Sequence, residues 1–240
     1  MTATARAERT DVEVVDLTTT ALRELNQRLH DLAGGGPGPR RWRIRNPNGA
    51  HAVACGLDAE VEVEIEGHVG YYCAGMNKRA TVRVHGNAST GIAENMMSGT
   101  VVVEGNTSQS AGATAHGGLL VVRGDAAARC GIALKGADIV VGGSVGHLSA
   151  FMAQSGCLLV CGDAGEALGD SIYEARIYVR GEVSELGADC VEKELRPEHV
   201  DQVRALLERA GMEDVDPGAF HRYGSARRLY NFSIDNAGAY

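Results

Sequence analysis

Residues 101–124 have the sequence VVVEGNTSQSAGATAHGGLLVVRG, in which one short pattern occurs twice, 19 positions apart. In each occurrence, aliphatic residues stand four and two positions before a glycine, and a polar residue follows it. Aliphatic residues at every second position are typical of a β-strand with one buried face. A glycine next to a polar residue is typical of a tight turn. Each occurrence therefore predicts a short strand that ends in a turn.

The pattern continues in both directions along the chain. Its glycine, which we call the lead glycine, recurs at the same interval at Gly67, Gly86, Gly105, Gly124, Gly143, Gly162 and Gly181. Every position four or two residues before a lead glycine is aliphatic. One period gives about 60 Å of extended chain, which suits one circuit of a solenoid and is too short for a βαβ unit. The period predicts an all-β fold: a right-handed parallel β-helix of 19-residue coils, about seven of them regular, with short flanking helices.

Glycine is abundant, with 32 residues among 240, and we predict that the lead glycines are structural turn residues with positive φ. Seven positions after each lead glycine stands an alanine or another glycine, as at Ala93 and Gly112. Small residues at a fixed phase indicate that the backbone turns or packs closely at that point in every coil. A β-sandwich is the structural alternative, but that fold does not require a fixed period.

Two segments precede the regular coils. A helix is predicted over residues 16–33, where four leucines fall on one face: Leu22, Leu25, Leu29 and Leu32. Residues 42–60 contain glycines out of phase with the later set and are interpreted as an irregular first coil. We therefore expect an N-terminal helical arm and Gly/Pro linker over residues 1–40, followed by the β-helix over residues 41–190.

The chain after the coils has a different character. Arg196-Pro197-Glu198 is typical of a helix start and Gly211 of a helix end, so a helix is predicted between them. We expect this helix to cover the open end of the β-helix, since an uncovered strand edge invites aggregation. Residues 191–240 are thus predicted to be a capping helix and an aromatic tail, which docks on this β-helix or on another subunit.

The outward side of the predicted strands changes along the chain. Three positions before the lead glycine, the first two coils carry Glu64 and Arg83, and the next five coils carry apolar residues: Val102, Val121, Val140, Leu159 and Tyr178. Large apolar patches seldom face water. The terminal helices cover this column, or it forms a subunit interface, and the pattern leaves both alternatives open. Together with Tyr230, Phe232 and Tyr240 of the tail, these five residues are the candidate interface.

Composition excludes some classes of partner. The net charge of −8 argues against nucleic acid, which requires a basic surface. No run of 18 apolar residues occurs, so no membrane span is predicted. Residues 1–16 do not have the pattern of a secretory signal. We therefore expect a cytoplasmic protein whose six cysteines are reduced thiols.

The usual catalytic signatures do not occur in the sequence. There is no GxSxG, GxxxxGK[ST] or HExxH motif, and Thr2 follows Met1 where an N-terminal nucleophile would need cysteine. Cys157 and Cys161 lie about 13 Å apart if they share one strand, too far for a common metal or a disulfide. We predict no catalytic, cofactor-binding or metal-binding residues in this chain.

The period, the glycine columns and the segment Ile44-Arg45-Asn46-Pro47-Asn48-Gly49-Ala50 resemble the GXGXG family of β-helices. The best-known member is the C-terminal domain of the glutamate synthase large subunit. The resemblance covers residues 42–190, and the tail LYNFSIDNA at residues 229–237 is similar to that of free-standing subunits of this type. In N-methylglutamate synthase, a glutaminase-like subunit, a β-helix subunit and an FMN and iron–sulfur synthase-like subunit are separate chains. The β-helix chain of formylmethanofuran dehydrogenase is a more distant relative.

The resemblance implies a non-catalytic scaffold subunit of a glutamate-synthase-like complex. Its expected partners in a hetero-oligomer are a class II glutamine amidotransferase-like subunit and an FMN-binding subunit, with FMN and the iron–sulfur cluster in the partner. One alternative is a free-standing oligomeric binding module, and another is a scaffold like the β-helix chain of formylmethanofuran dehydrogenase. A third is an enzyme with carboxylates stacked in adjacent coils, but Arg83 and His85 follow Glu64 and Glu66 one coil later.

Overall fold

The computed structural model describes residues 12–228 and shows one sheet of eleven strands and two α-helices within them. In chain order the elements are β1 (Val12–Asp16), α1 (Leu22–His30), β2 (Arg41–Arg45), β3 (Glu62–Glu66), β4 (Thr81–Val84), β5 (Thr100–Val103), β6 (Leu119–Val122), β7 (Lys135–Val141), β8 (Ser155–Val160), β9 (Arg176–Val179), β10 (Cys190–Lys193), α2 (Pro197–Ala210) and β11 (His221–Ser225). Short 3₁₀ turns lie at Ala33–Gly35 and Pro217–Ala219. The predicted right-handed parallel β-helix is confirmed.

The period of the sequence is also the period of the strand pairing. From β3 to β9, neighbouring strands are parallel, and Val63 pairs with Val82, Val82 with Val101, and Val101 with Leu120. A second ladder of single bridges joins the positions two after the lead glycine, from Val69 and Ala88 to Val183. Each coil therefore lies in register on the coil before it.

The inward residues of the strands fill the core as predicted. Every residue four or two positions before a lead glycine is at most 1% exposed, from Val63 and Ile65 in β3 to Ile177 and Val179 in β9. Full burial of one aliphatic side chain stabilises a fold by about 2 kcal/mol. The repeated alternation thus supplies one continuous apolar core along the coils.

The lead glycines are required for a reason other than the predicted one. Positive φ is found at Gly67, whose φ is 136°, but at none of the six later lead glycines. At those positions the coils approach closely: a Cβ at Gly86 would lie 2.7 Å from the carbonyl oxygen of Gly67. From Gly105 onward, each lead glycine also donates its N–H to the carbonyl oxygen of the lead glycine before it, at 2.8–3.1 Å. The glycines therefore allow tight stacking, and the prediction of positive φ was wrong for most of them.

A polar ladder runs beside the stacked glycines. The side chain that follows each lead glycine accepts the backbone N–H of its counterpart in the next coil; Asn87 accepts from Asn106, for example, at 2.9 Å. The ladder contains His68, Asn87, Asn106, Asp125, Ser144, Asp163 and Glu182, the last as a donor of its N–H. These bonds satisfy backbone donors that the turn would otherwise leave to solvent.

The segments that return between strands have an unusual backbone. Residues five, seven and nine positions after the lead glycine have φ between 50° and 72° in six successive coils, beginning with Tyr72, Ala74 and Met76. Most are not glycine, although this conformation costs about 1–2 kcal/mol for other residues. Hydrogen bonds between coils offset the cost: the N–H of Tyr72 donates to Thr90 of the next coil and that of Ala74 to Val53 of the preceding one. We call the outward side of these segments, four to eleven positions after each lead glycine, the return face.

The N-terminal segment differs from its prediction. The helix α1 begins at Leu22 and ends at His30, and residues 12–16 form the strand β1, which pairs in parallel with β2. Val12 lies opposite Arg41, so this first circuit is longer than a regular coil because α1 is inserted in it. The helix buries Leu25 and Leu29 against the coils. The predicted irregular coil after β2 is real and is slightly longer than a regular one, since Trp42 pairs with Val63.

The position of α2 also differs from its prediction. Its bounds are as expected, with Gly211 in the left-handed conformation at its C-cap. It does not cover the end of the β-helix but lies across the outward side of the strands. Gln202 near its start bonds to Tyr178 of β9, and Arg209 near its end pairs with Asp138 of β7 at 2.7 Å. The sheet instead ends with β11, which lies antiparallel between β9 and β10, and with β10 as the edge strand.

Candidate functional site

The outward apolar column is buried inside the chain. Val102, Val121, Val140, Leu159 and Tyr178 are each at most 4% exposed. They form a second apolar cluster with residues of α2 and the segment after it: Val203, Leu206, Leu207, Ala210 and Phe220. Of the two alternatives for this column, cover by a terminal helix is therefore the one observed. These five residues are not available as a subunit interface in the fold described.

Tyr178 anchors this cover at the strand β9. It is fully buried, and its hydroxyl donates a hydrogen bond to Oε1 of Gln202 in α2 at 2.9 Å. Burial raises the pKa of Tyr178 to about 12, so the hydroxyl remains a donor at neutral pH. At the other end of α2, Arg123 donates to the carbonyl oxygen of Gly211 at 3.1 Å. The helix is thus held to the strands at both of its ends.

The other three residues of the predicted interface, Tyr230, Phe232 and Tyr240, lie outside the residues that the structure describes. Two aromatic residues that precede them are within it. Phe220 is 3% exposed in the second apolar cluster, and Tyr223 is 8% exposed on β11. The described part of the aromatic tail therefore docks on this β-helix.

The strand side is charged in its first coils, where α2 does not reach. Glu64 forms an ion pair with Arg83 and a hydrogen bond with His85, and Arg83 forms a further ion pair with Glu104 in the next coil. Nearby, Arg43 and Arg45 both pair with Glu66. Exposed ion pairs of this kind contribute little to stability. They leave this surface polar and neutralised.

The return face carries the exposed apolar side chains of the regular coils. Four large apolar side chains are more than a third exposed there: Tyr71 at 53%, Met76 at 48%, Met97 at 47% and Met152 at 38%. Phe151 lies beside Met152 and is partly exposed. The other two such residues in the described part of the chain are Val12 and Val14, on the edge strand β1. Within residues 12–228, α2 packs on the strand side, and α1 bonds to the irregular first coil through Asn26, which contacts Ala52 and Ala54. The return face is the apolar surface that the described fold leaves uncovered.

The cysteine thiols are poorly suited to chemistry. Cys73, Cys130, Cys157, Cys161 and Cys190 are buried, and Cys55 is partly buried. Burial raises the pKa of Cys130 and of Cys190 to about 12, which disfavours the reactive thiolate. Cys157 and Cys161 lie on the outward side of β8 and its end, beneath α2, as part of the second apolar cluster. These thiols act as small apolar side chains.

The described residues contain neither a metal-binding cluster nor a membrane-spanning helix. Within residues 12–228, no three His, Cys, Asp or Glu residues are arranged so that they could hold a metal ion. Neither of the two helices in that part of the chain has the length and apolar character needed to cross a bilayer.

Comparison with known proteins assigns this chain to a family. A family model described as the GXGXG motif matches residues 49–211, more than half of the chain. The chain belongs to the GXGXG family. Protein GlxC from Rhizobium meliloti (strain 1021) is 61% identical over 227 residues, which cover 95% of this chain and 99% of that protein. The matched region extends beyond the coils and includes α2, so the helix over the strands lies within the family's pattern.

The sequence did not identify the return face. Its left-handed residues include Tyr72, Met76, Arg129, Leu148 and Met152, whose types do not indicate positive φ. Of the three left-handed positions in each coil, only the middle one, seven after the lead glycine, has a recognisable residue type, because it is always alanine or glycine. The left-handed residues at every second position can be recognised only after the strands have fixed where each coil begins.

Proposed function

We propose that this chain is a non-catalytic scaffold subunit of a multi-subunit glutamate-synthase-like enzyme of the N-methylglutamate synthase type. Its partners are a class II glutamine amidotransferase-like subunit and an FMN-binding, synthase-like subunit, which it holds together. FMN and an iron–sulfur cluster belong to the partner. Membership of the GXGXG family and the close relation to Protein GlxC over almost the whole of both chains support this proposal.

The observation that carries the proposal is the contrast between the two sides of the β-helix. The apolar column of the strand side is covered by α2, whereas the return face presents Tyr71, Met76, Met97 and Met152 to solvent. Methionine and aromatic residues are enriched in protein interfaces. The stacked coils also hold these side chains on a backbone fixed by hydrogen bonds between coils. A partner that docks on this surface meets a preformed apolar face.

Affinity purification of the tagged chain from its own cells tests the proposal. We expect two further chains to copurify in fixed ratio: one with an N-terminal cysteine typical of class II amidotransferases, and one with the absorption spectrum of bound FMN. A homo-oligomer without other chains would contradict the proposal and support the free-standing binding module. Molybdopterin- or tungstopterin-containing partners would support the formylmethanofuran dehydrogenase type of scaffold instead.

A pair of matched variants tests the role of the return face. Met152→Glu places a charge on this face, and Ala205→Glu makes the same kind of change on the exposed side of α2. We expect Met152→Glu to weaken association with a partner about tenfold or more, which corresponds to about 1.4 kcal/mol or more. Ala205→Glu should leave it unchanged. Equal binding by both variants would show that the partners use another surface.

A further inference from the structure

A cleft of about 360 Å³ lies at the C-terminal end of the sheet, next to the last return segment. Four elements form its walls: the start of β9, the end of β10, the first turn of α2 and the strand β11. It exists because β11 enters the sheet between β9 and β10 and brings its side chains next to the start of α2. A cleft of this size can take a small molecule.

The lining of this cleft is strongly cationic, although the whole chain has a net charge of −8. Five lining residues are basic and Glu174 is acidic; the basic ones are Arg176, Lys193, Arg196, Arg222 and Arg227. Glu174 neutralises Arg227 at 2.9 Å, and Glu194 neutralises Arg196 at 2.9 Å. Among residues 12–228, no carboxylate forms an ion pair with Arg176, Lys193 or Arg222.

Strand pairing places two of these three cations side by side. Lys193 lies directly opposite Arg222 in the antiparallel pair of β10 and β11, and Arg222 lies opposite Tyr178 of β9. Like charges directly opposite each other on neighbouring strands destabilise a sheet. An anion between them would convert this repulsion into attraction.

These side chains also have unused hydrogen-bond donors. Arg176 donates one bond, to Oε1 of Gln202 at 3.0 Å. Arg222 donates to the carbonyl oxygen of Glu194 at 3.3 Å and also bonds to the hydroxyl of Tyr178. The Nε of Arg222 is buried without an acceptor in the described part of the chain. A guanidinium has five N–H donors in a fork that matches carboxylate and phosphate oxygens. Part of this donor capacity therefore has no acceptor among the described residues.

The first turn of α2 adds to the positive potential. Its N-terminus, at Arg196 and Pro197, borders the cleft, and helix N-termini attract anions. The pKa of His199 in the same turn is lowered, first by burial and then by the positive charges of Arg222, Arg176 and Arg196. Glu198 has the opposite effect on this pKa.

We propose that this cleft binds a small divalent oxyanion, either a dicarboxylate or a phosphate compound, between Arg176, Lys193 and Arg222. The two chemistries share charged oxygens that accept paired N–H bonds, and the cleft offers both guanidinium groups and an ammonium to them. This site lies in the β-helix chain itself. It does not depend on the proposed partners, so either proposal can fail while the other stands.

Calorimetric titration of the full chain with inorganic phosphate and with succinate, each at constant ionic strength against sodium chloride, tests the site. We expect saturable binding of at least one probe with a millimolar or lower dissociation constant. The probe that binds more tightly identifies the class of ligand. Absence of saturable binding by both probes would overturn the proposal.

Lys193→Gln is the most informative variant, because Lys193 forms no side-chain hydrogen bond or ion pair with the described residues. We expect about tenfold weaker binding of the probe in this variant and in Arg222→Gln. The matched control is Arg204→Gln, which removes an exposed cation of α2 that pairs with Asp201 outside the cleft. Binding that is equally strong in Lys193→Gln and Arg204→Gln would overturn the assignment.

Thermal unfolding gives a second readout that does not require a heat of binding. Without the anion, Lys193→Gln should melt at the same temperature as the parent or higher, because it removes a repulsion. With saturating anion, the parent should gain stability and the variant should gain much less. A lower melting temperature of Lys193→Gln without anion would show that Lys193 has a structural role and would contradict the proposal.

Discussion

A Cβ at Gly124 would lie 2.0 Å from Oδ1 of Asn106, the oxygen that accepts the N–H of Asp125 at 2.8 Å. The lead glycine and the polar residue of the preceding coil therefore form one unit: the absent side chain makes room for the ladder. The same relation holds between Gly143 and Asp125. At this scale the sequence predicted which residues form the turn. It could not predict why, because close approach between coils depends on their stacking.

Substitution at a central lead glycine tests this unit. We expect Gly124→Ala to lower the free energy of unfolding by about 2 kcal/mol, since the new Cβ overlaps Asn106 and must displace the ladder. Gly218→Ala is the matched control, because its Cβ would meet no atom closer than 3.4 Å and its φ is not positive. Urea denaturation measures both. Equal stability of the two variants would contradict the close approach at Gly124.

The ladder itself can be separated from the steric effect. Asn106→Ala removes the acceptor for the N–H of Asp125 and should cost about 1 kcal/mol of stability. Asn106→Ser should recover most of this, because Ser144 fills the same role one coil after Asp125 and accepts from Asp163 at 2.9 Å. Denaturant midpoints of the two variants give the comparison. A Ser variant no more stable than the Ala variant would rule out a contribution of the hydrogen bond.

Thiol alkylation tests the burial of the cysteines. The reaction needs the thiolate, and burial raises the pKa of Cys130 and Cys190 to about 12, so little thiolate forms at pH 8. We expect iodoacetamide to modify the partly buried Cys55 first in the native chain, and all six cysteines after denaturation. Peptide mapping by mass spectrometry locates the label. Rapid native labelling of Cys130 would contradict the packing of the core.

At the scale of elements, the regular strands were predictable and the attached elements were less so. Strands β3 to β9 follow from a period that the sequence repeats without error. Strand β1 was missed because the inserted α1 breaks the period between it and β2, and because Val12 and Val14 remain exposed. The face of α2 could be predicted from its apolar spacing. Its partner surface could not, because the outward column of β5 to β9 suits a helix or a subunit equally well.

Loosening α2 should expose the apolar column. Leu206→Ala removes a side chain that is 3% exposed in the second apolar cluster and should lower stability by about 3 kcal/mol. Arg204→Ala, on the exposed side of the same helix, should change it by less than about 0.5 kcal/mol. Denaturation and binding of a hydrophobic dye report both effects. Similar behaviour of the two variants would mean that α2 does not cover the column.

At the scale of the whole molecule, the two sides of the β-helix differ in how far the chain itself covers them. Its strand side is covered by α2 and carries ion pairs in the first coils, whereas no other part of residues 12–228 covers the return face or fills the cationic cleft. The sequence predicted the β-helix and, through its family, a scaffold. It did not indicate that α2 buries the five strand residues of the candidate interface, nor that the return face exposes apolar side chains, because left-handed residues such as Tyr72 and Met76 carry no local signal.

Reconstitution with one chain omitted tests the scaffold role most directly. The amidotransferase-like and FMN-binding subunits are mixed with and without this chain, and native mass spectrometry records which assemblies form. We predict a complex of all three chains when this chain is present and no stable association of the other two when it is absent. A stable complex of the two partners that forms without this chain would contradict the account.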